Sequence, residues 1–303
     1  MGTDRADRFV TEPASAPGQP GGDPETVEMV APAKLTVSLR VTGVRPDGFH
    51  EIESEMVTLD LADTLVISPG DGLTIESGTV PANGSVGGAP GAPGGPEDPA
   101  AEAPGLSIGA DNLVRRALDA VGRSARVRLI KRIPVGAGLG GGSADAAAIL
   151  RWAGWTDLRV AAELGADVPF CVAGGRALVK GIGESVTPLA HQPREFTLLM
   201  PPFGMDTGAV YRAWDSMSRA GSLPPKGSSD NDLEAPALSV EPRLALWRQA
   251  LASATGMEPR LAGSGSTWFV FGGPVAFGLG GRRSLQVGQA TARLLGARTV
   301  PGF

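Results

Sequence analysis

Between Ile133 and Leu150 the chain reads IPVGAGLGGGSADAAAIL. Five glycines (Gly136, Gly138, Gly140, Gly141 and Gly142) run directly into Ser143 and an alanine series. Glycine weakens regular structure, whereas alanine favours helix most strongly. A strand over Arg126–Ile133, a glycine loop and a helix opening at Ser143 therefore form one unit. A helix N-terminus leaves backbone N–H groups unpaired and carries the positive end of the macrodipole. Glycines let such amides approach an anion closely, so the chemistry this spacing suits is a phosphate cradle. Pro134, Val135, Ala137 and Leu139 supply the backbone between the glycines. Ser143 is expected to cap the helix and to offer its hydroxyl to a phosphate or to Mg²⁺. Gly141-Gly142-Ser143 lacks the lysine of a Walker A loop. The mid-chain position also differs from a dinucleotide fold, which begins on an early strand.

Other residues have types that could take part in such chemistry. Asp167 lies between Gly165-Ala166 and Val168-Pro169. On residue types alone it reads as an exposed turn aspartate or as a base. Lys34 follows Pro32-Ala33 in an apolar strand, where its ammonium must reach a cleft or snorkel to solvent. Asn112 reads as a helix cap and Lys131 as a solvated strand-end lysine. Gly263-Ser264-Gly265 is a second short glycine turn before a β-run. Phe49-His50 stands on a Pro-Asp-Gly turn, and Tyr211 is the only tyrosine.

These residues need elements to hold them. VEMVAPAKLTVSLRVTGV, EMVTLDLADTLVISPG, LTIESG and ARVRLIKRIP read as strands. DNLVRRALDAVGR reads as an amphipathic helix capped by Asp111 or Asn112. TDLRVAAELG reads as a short helix with Gly165 as its C′ residue. PFCVAGGRALVKGIGESVTPL reads as hairpin-like strands. Beyond it FTLLMPPF, GSTWFVFGG and ARTVPGF are expected as strands, and TGAVYRAWDSM, EPRLALWRQAL and VGQATARLLG as helices. The alternation indicates α+β layering in both halves.

The 303 residues suit two medium domains or one large one. A net charge of −5 gives no broad nucleic-acid footprint. Cys171 is the only cysteine, which excludes a disulfide within the chain and suits a cytoplasmic protein. No apolar run reaches transmembrane length, so no membrane partner is expected. Residues 1–26 read as a disordered tail and residues 80–105, rich in Gly and Pro, as a flexible insertion. Deleting Pro81–Ala103 is accordingly expected to leave activity near that of the parent and the melting temperature within roughly 5 °C, because loop-closure entropy changes slowly with length. A larger fall in a thermal melt would show that the insertion packs.

PxxxGLGGGSADAAA resembles the phosphate loop of the GHMP kinases. APAKLTVSLRVTGVRPDGFHEIES, DNLV, LGADVPF, the GxGE of GIGESVTPL and AGSGST also follow that family's order, from Val27 to about Gly273. The resemblance implies an α+β two-domain GHMP kinase fold. Residues 27–190 would form a half like ribosomal protein S5 domain 2 and residues 191–303 a ferredoxin-like half, with the active site between them. It implies ATP and Mg²⁺ as cofactors, with Asp167 as base and Lys34 beside it. Asn112 and Lys131 would lie near the nucleotide, and Gly263, Ser264 and Gly265 would approach the phosphates from the C-terminal half. The opening segment is similar to members acting on a cytidine diphosphate alcohol. Phe49 and His50 would then meet the cytosine, and Tyr211, by approximate position, would complete the sandwich. Thr36 stands where the family usually has asparagine, and the segment between Leu150 and Leu164 is short. A monomer or weak homodimer is expected. A kinase for another small alcohol and a non-catalytic nucleotide-binding homologue are the alternatives, and retention of both Lys34 and Asp167 favours an enzyme.

Overall fold

The computed structural model describes residues 26–78, 107–155 and 157–303. The expected insertion over 80–105 and, Thr26 apart, the expected tail lie outside these residues. Two long strands, β1 (Val27–Val44) and β2 (His50–Ser68), pair antiparallel around the Pro46-Asp47-Gly48 turn. Gly48 takes a positive φ of 86°, and Arg45 N–H donates to Phe49 O at 2.8 Å. The other edge of β2 is divided. Thr64–Ser68 pairs with β4 (Arg126–Lys131), which carries β3 (Gly72–Ser77) in parallel. Ile52–Val57 pairs with β5 (Arg176–Gly181), which carries β6 (Ser185–Leu189). Between these stretches the β1–β2 register jumps, from Pro32 opposite Ala62 to Lys34 opposite Thr58. Such a bulge re-aims the side chains next to it, here Lys34.

Helices α1 (Leu113–Ala120), α2 (Gly141–Trp152), α3 (Leu158–Leu164) and α4 (Val168–Ala173) belong to the same half. In α2 every residue from Ala144 to Leu150 is buried, which explains the alanines: small side chains let the helix sit close to its neighbours on all sides. The second half holds β7 (Glu195–Met200), α5 (Thr207–Arg219), α6 (Glu234–Val240), α7 (Leu244–Thr255), β8 (Arg260–Leu261), β9 (Trp268–Phe271), β10 (Ser284–Val287) and β11 (Ala290–Arg298). Its sheet has the order β10-β11-β7-β9-β8. Leu35, Leu59, Leu139, Phe196, Leu198 and Phe269 share one buried cluster, so the bulge region, the glycine loop and the second sheet pack on one another.

Three expectations are corrected. Pro169–Ala173, read as strand, lies in helix α4; Pro169 in its first turn lacks only an N–H that would have had no partner there. VGQATARLLG, read as helix, spans a hairpin. Gly288 (φ 59°) opens a two-residue turn between β10 and β11, and Ala292 and Leu294 are buried with the period of a strand. ARTVPGF, read as the last strand, shares only its first residues with β11, which ends at Arg298. Helix α3 ends at Gly165 as expected, with that residue in extended backbone (φ 168°). Helix α6 was not anticipated.

Candidate active site

The glycine loop leaves β4 and enters α2 through three left-handed residues, Gly136 (φ 69°), Gly138 (φ 78°) and Gly140 (φ 68°). Gly140, not Ser143, is the N-cap; Ser143 lies in the first turn of α2. The glycine closes the cap because a side chain there would strike Lys34, whose Cγ is 2.7 Å from where a Cβ would stand. A Cβ on Gly138 would meet Gly265 O at 2.5 Å and Ala262 O at 2.6 Å. The loop therefore rests on the second glycine turn. Lys34 N–H donates to Leu139 O at 3.0 Å and Thr267 N–H to Ala137 O at 3.1 Å, which ties the loop to both halves. Gly138→Ala is expected to cost about 1–3 kcal/mol through backbone strain and collision. Gly142→Ala, whose Cβ would meet only Leu113 Cδ1 at 3.4 Å, should leave stability unchanged or raise it slightly. Thermal melts of the two variants check the contrast, and an equal loss from both would remove the collision as its cause.

Lys34 is 5% exposed, and its Nζ lies 3.1 Å from Asp167 Oδ2 and donates to Thr36 Oγ1 at 3.1 Å. Thr36 thus supplies an acceptor although asparagine is absent. Asp167 stands at the N-cap of α4, but its carboxylate makes no cap bond. Ala166 is fixed from behind by the GIGE turn: a Cβ on Gly183 (φ 114°) would lie 2.0 Å from Ala166 O. The neighbouring Cys171 thiol is pushed up to about 12, by burial first and then by Asp167, so it stays protonated and unreactive.

Lys131 is not solvated. Its ammonium is buried and paired with Asp63 and, at 2.7 Å, with Asp145. Asp63 Oδ1 also accepts the N–H groups of Arg132 and Ile133, the last at 2.9 Å. One carboxylate thus holds the start of the loop, and Asp145, in α2, holds its end. Burial pushes the Asp145 carboxyl up to about 7, with Lys131 opposing and Asp63 adding to the shift. Burial lowers Lys131, but Asp145 and Asp63 outweigh it and its ammonium is held above the ordinary range. Asn112 caps α1: its Oδ1 accepts from Val114 N–H at 2.9 Å, and its Nδ2 donates to Ser107 O at 2.7 Å.

At the other end of the cleft, His50 Nε2 lies 2.8 Å from Asp215 Oδ1. The imidazole rests on Tyr211, with centroids 4.6 Å apart and planes at 34°, and stands perpendicular to Trp214 with centroids 5.4 Å apart. The His50 and Tyr211 rings are in contact, so no base fits between them. Phe49 is 59% exposed and free to face a flat ligand. Burial, with Asp167 adding, pushes the Tyr211 phenol up to about 12, which keeps it neutral.

One cleft of about 910 Å³ brings these groups together. Lys34, Thr36, Phe49, His50, Asn112, Lys131, Asp167, Tyr211, Gly263, Ser264 and the whole stretch from Pro134 to Ser143 line it. Gly265 stands behind, carrying Gly138. Sequence reasoning missed Asp63, Asp145, Thr207, Asp215 and Asn231. Asp215 was within reach of it, since it follows Tyr211 by one helical turn. Asp145 stands inside the quoted loop motif.

The GHMP kinases N terminal domain matches residues 112–175. A crystal structure of L. major mevalonate kinase superimposes with a TM-score of 0.57 at 14% identity, covering 91% of this chain and 97% of that one, a likeness of fold. The fold, with the matched N-terminal domain around the glycine loop, is that of the GHMP kinases. The 4-diphosphocytidyl-2-C-methyl-D-erythritol kinase of Paracoccus denitrificans is 40% identical over 253 residues, 79% of this chain and 84% of that one. That of Cereibacter sphaeroides is 36% identical over 265 residues, 80% and 88%. A crystal structure of 4-(cytidine 5'-diphospho)-2C-methyl-D-erythritol kinase matches with a TM-score of 0.61 at 31% identity, covering 90% of this chain and all of that one. The chain belongs to the 4-diphosphocytidyl-2-C-methyl-D-erythritol kinase family.

Proposed function

We propose that the protein transfers the γ-phosphoryl group of ATP to the 2-hydroxyl of 4-diphosphocytidyl-2-C-methyl-D-erythritol, a step of the non-mevalonate isoprenoid pathway. The observation that carries this reading is the Lys34–Asp167 pair, 3.1 Å apart in the cleft that the glycine loop lines. A kinase acting on an alcohol works mainly by positioning and electrostatics. Asp167 accepts the hydroxyl proton as the oxygen–phosphorus bond forms and the β–γ bond breaks, and ADP leaves. Lys34 orients both the carboxylate and the hydroxyl. The amides at the start of α2 and the Gly263-Ser264-Gly265 turn hold the phosphates, and Asn112 and Lys131 border the nucleoside. Thr36 lies on the alcohol side.

Among the described residues no group of three or more metal-ligating side chains occurs. That donor set fits Mg²⁺ carried in on ATP phosphates, with Ser143 as an oxygen ligand, better than a resident ion. Bound there, Mg²⁺ would neutralise phosphate charge. The halves 27–190 and 191–303 are the two lobes of this reading. Among the described residues no helix is long and apolar enough to cross a membrane. The single cysteine of the chain, Cys171, buried and unpaired, supports a cytoplasmic setting.

The cytosine is read at Phe49, His50 and Tyr211. Phe49 and Tyr211 offer faces, and His50, held by Asp215, offers an edge. His50→Ala is expected to raise KM for the cytidine substrate more than about tenfold, the loss of an edge contact worth ~1–3 kcal/mol, and to leave KM for ATP nearly unchanged. Steady-state kinetics with each substrate varied in turn decides it. Equal weakening of both, or of neither, would take the base-reading role away from this turn.

A further inference from the structure

Asn231 lies in SSDNDLE, a polar stretch with no feature of a motif. It is nevertheless 3% exposed, and its amide is fully committed. Nδ2 donates to Leu261 O at 2.9 Å and to Gly263 O at 2.7 Å, and Oδ1 accepts from Leu233 N–H at 2.9 Å. The segment carrying it is laid along β1: Leu39 N–H donates to Asp230 O at 2.8 Å, and Asp232 N–H to Leu39 O at 2.9 Å. One side chain thus connects the free edge of the Lys34 strand to the second glycine turn.

The direction of those bonds has a consequence. The Gly263–Ser264 peptide is trans, so its C=O and N–H lie in one plane and point in opposite directions. Asn231 takes the carbonyl, and the Ser264 N–H is turned away from it. Gly263 and Ser264 line the cleft, and a Cβ on Gly263 would stand 3.7 Å from Lys34 Nζ. The neighbouring peptide behaves alike: Leu261 O faces Asn231, while Ala262 N–H donates to Thr267 O at 2.9 Å on the other side. The Ser264 hydroxyl lies 2.8 Å from Thr207 Oγ1, which also lines the cleft. We propose that Asn231 is a positioning residue that orients the Gly263–Ser264 peptide, so that the Ser264 N–H faces the cleft as a donor to an ATP phosphate oxygen. The inference rests on the reading that this turn meets the ATP phosphates.

Asn231→Asp keeps the shape and sets an acceptor against two carbonyls, whereas Asn231→Ser removes both donors without adding charge, and serves if the aspartate does not fold. Kinetics with ATP and with the cytidine alcohol are combined with amide hydrogen exchange over 261–267 in the ligand-free enzyme. The expected result is a rise of about tenfold or more in KM for ATP, a KM for the alcohol within about twofold, and faster exchange in the turn. Asp232→Asn breaks different bonds, to Val41 N–H and Arg40, and should leave KM for ATP unchanged. Unchanged exchange in the Asn231 variants would overturn the role of the amide. Faster exchange with unchanged ATP kinetics would instead show that the turn does not meet ATP, and the proposal falls with that reading. An equal ATP defect in Asp232→Asn would assign the effect to the segment rather than to the side chain.

Discussion

Asp167→Asn is expected to keep the fold and ATP binding and to lose phosphoryl transfer by about 10²–10⁴-fold. The carboxamide occupies the same volume and can still turn its oxygen toward Lys34, which lies 3.1 Å from Oδ2. It cannot take a proton from an alcohol. Asp167 makes no cap bond in α4, so the helix start does not depend on its charge. Removing the group that acts only as the bond forms should lower kcat and kcat/KM together. Single-turnover transfer, with a parallel ATP titration, separates the two effects. Transfer close to that of the parent would take Asp167 out of the base role, whereas lost ATP binding would mean that it acts on the nucleotide.

The parts of this site that were legible in the sequence were those where backbone conformation restricts residue type. Left-handed Gly136, Gly138 and Gly140 leave a glycine signature, and the crowded α2 leaves an alanine one. Gly48 in its turn placed Phe49 and His50. Short apolar runs were ambiguous, because Val168–Ala173 and a buried strand differ little in pattern. At VGQATARLLG the helix-like spacing hid a Gly-Gln hairpin turn. Least legible were the residues defined by remote partners. Asp63 sits in an ordinary β-run, and its meaning depends on Lys131 and on two amides of a distant segment. Asn231 stands in a polar stretch without a motif, and its role depends on the carbonyls of Leu261 and Gly263 brought to it by the fold. Residue types near each other in sequence report local geometry; they do not report which buried charge closes which loop.

Lys131→Met is expected to destabilise the protein by about 3–5 kcal/mol, seen as a fall in melting temperature on the order of 10 °C at neutral pH. The methionine fills a similar volume, but two buried carboxylates lose their shared cation. Asp63 keeps the N–H groups of Arg132 and Ile133. Asp145 keeps nothing comparable, and among the described residues its Oδ1 has no partner even in the parent. The pH dependence follows from the same arrangement. In the parent, burial raises the Asp145 carboxyl from 3.8 to about 7. The folded chain therefore holds a proton there that the unfolded chain releases, and this contribution to stability is fully present below about 4 and is lost as pH rises through about 7. Lys131 is also raised, so its contribution is present below its ordinary value of 10.5 and lost as pH rises through its higher folded value. Taking away the cation pushes Asp145 further up, so the variant should regain stability on acidification more steeply than the parent does. Melts between pH 5 and pH 8 measure this, and Lys131→Met/Asp145→Asn should recover part of the loss at pH 8. A loss of stability that is independent of pH and unrelieved by Asp145→Asn would make Lys131 a packing element. The expected coupling would make it the pin on which both ends of the glycine loop are held, and the variant's ATP affinity should fall with its stability for that reason.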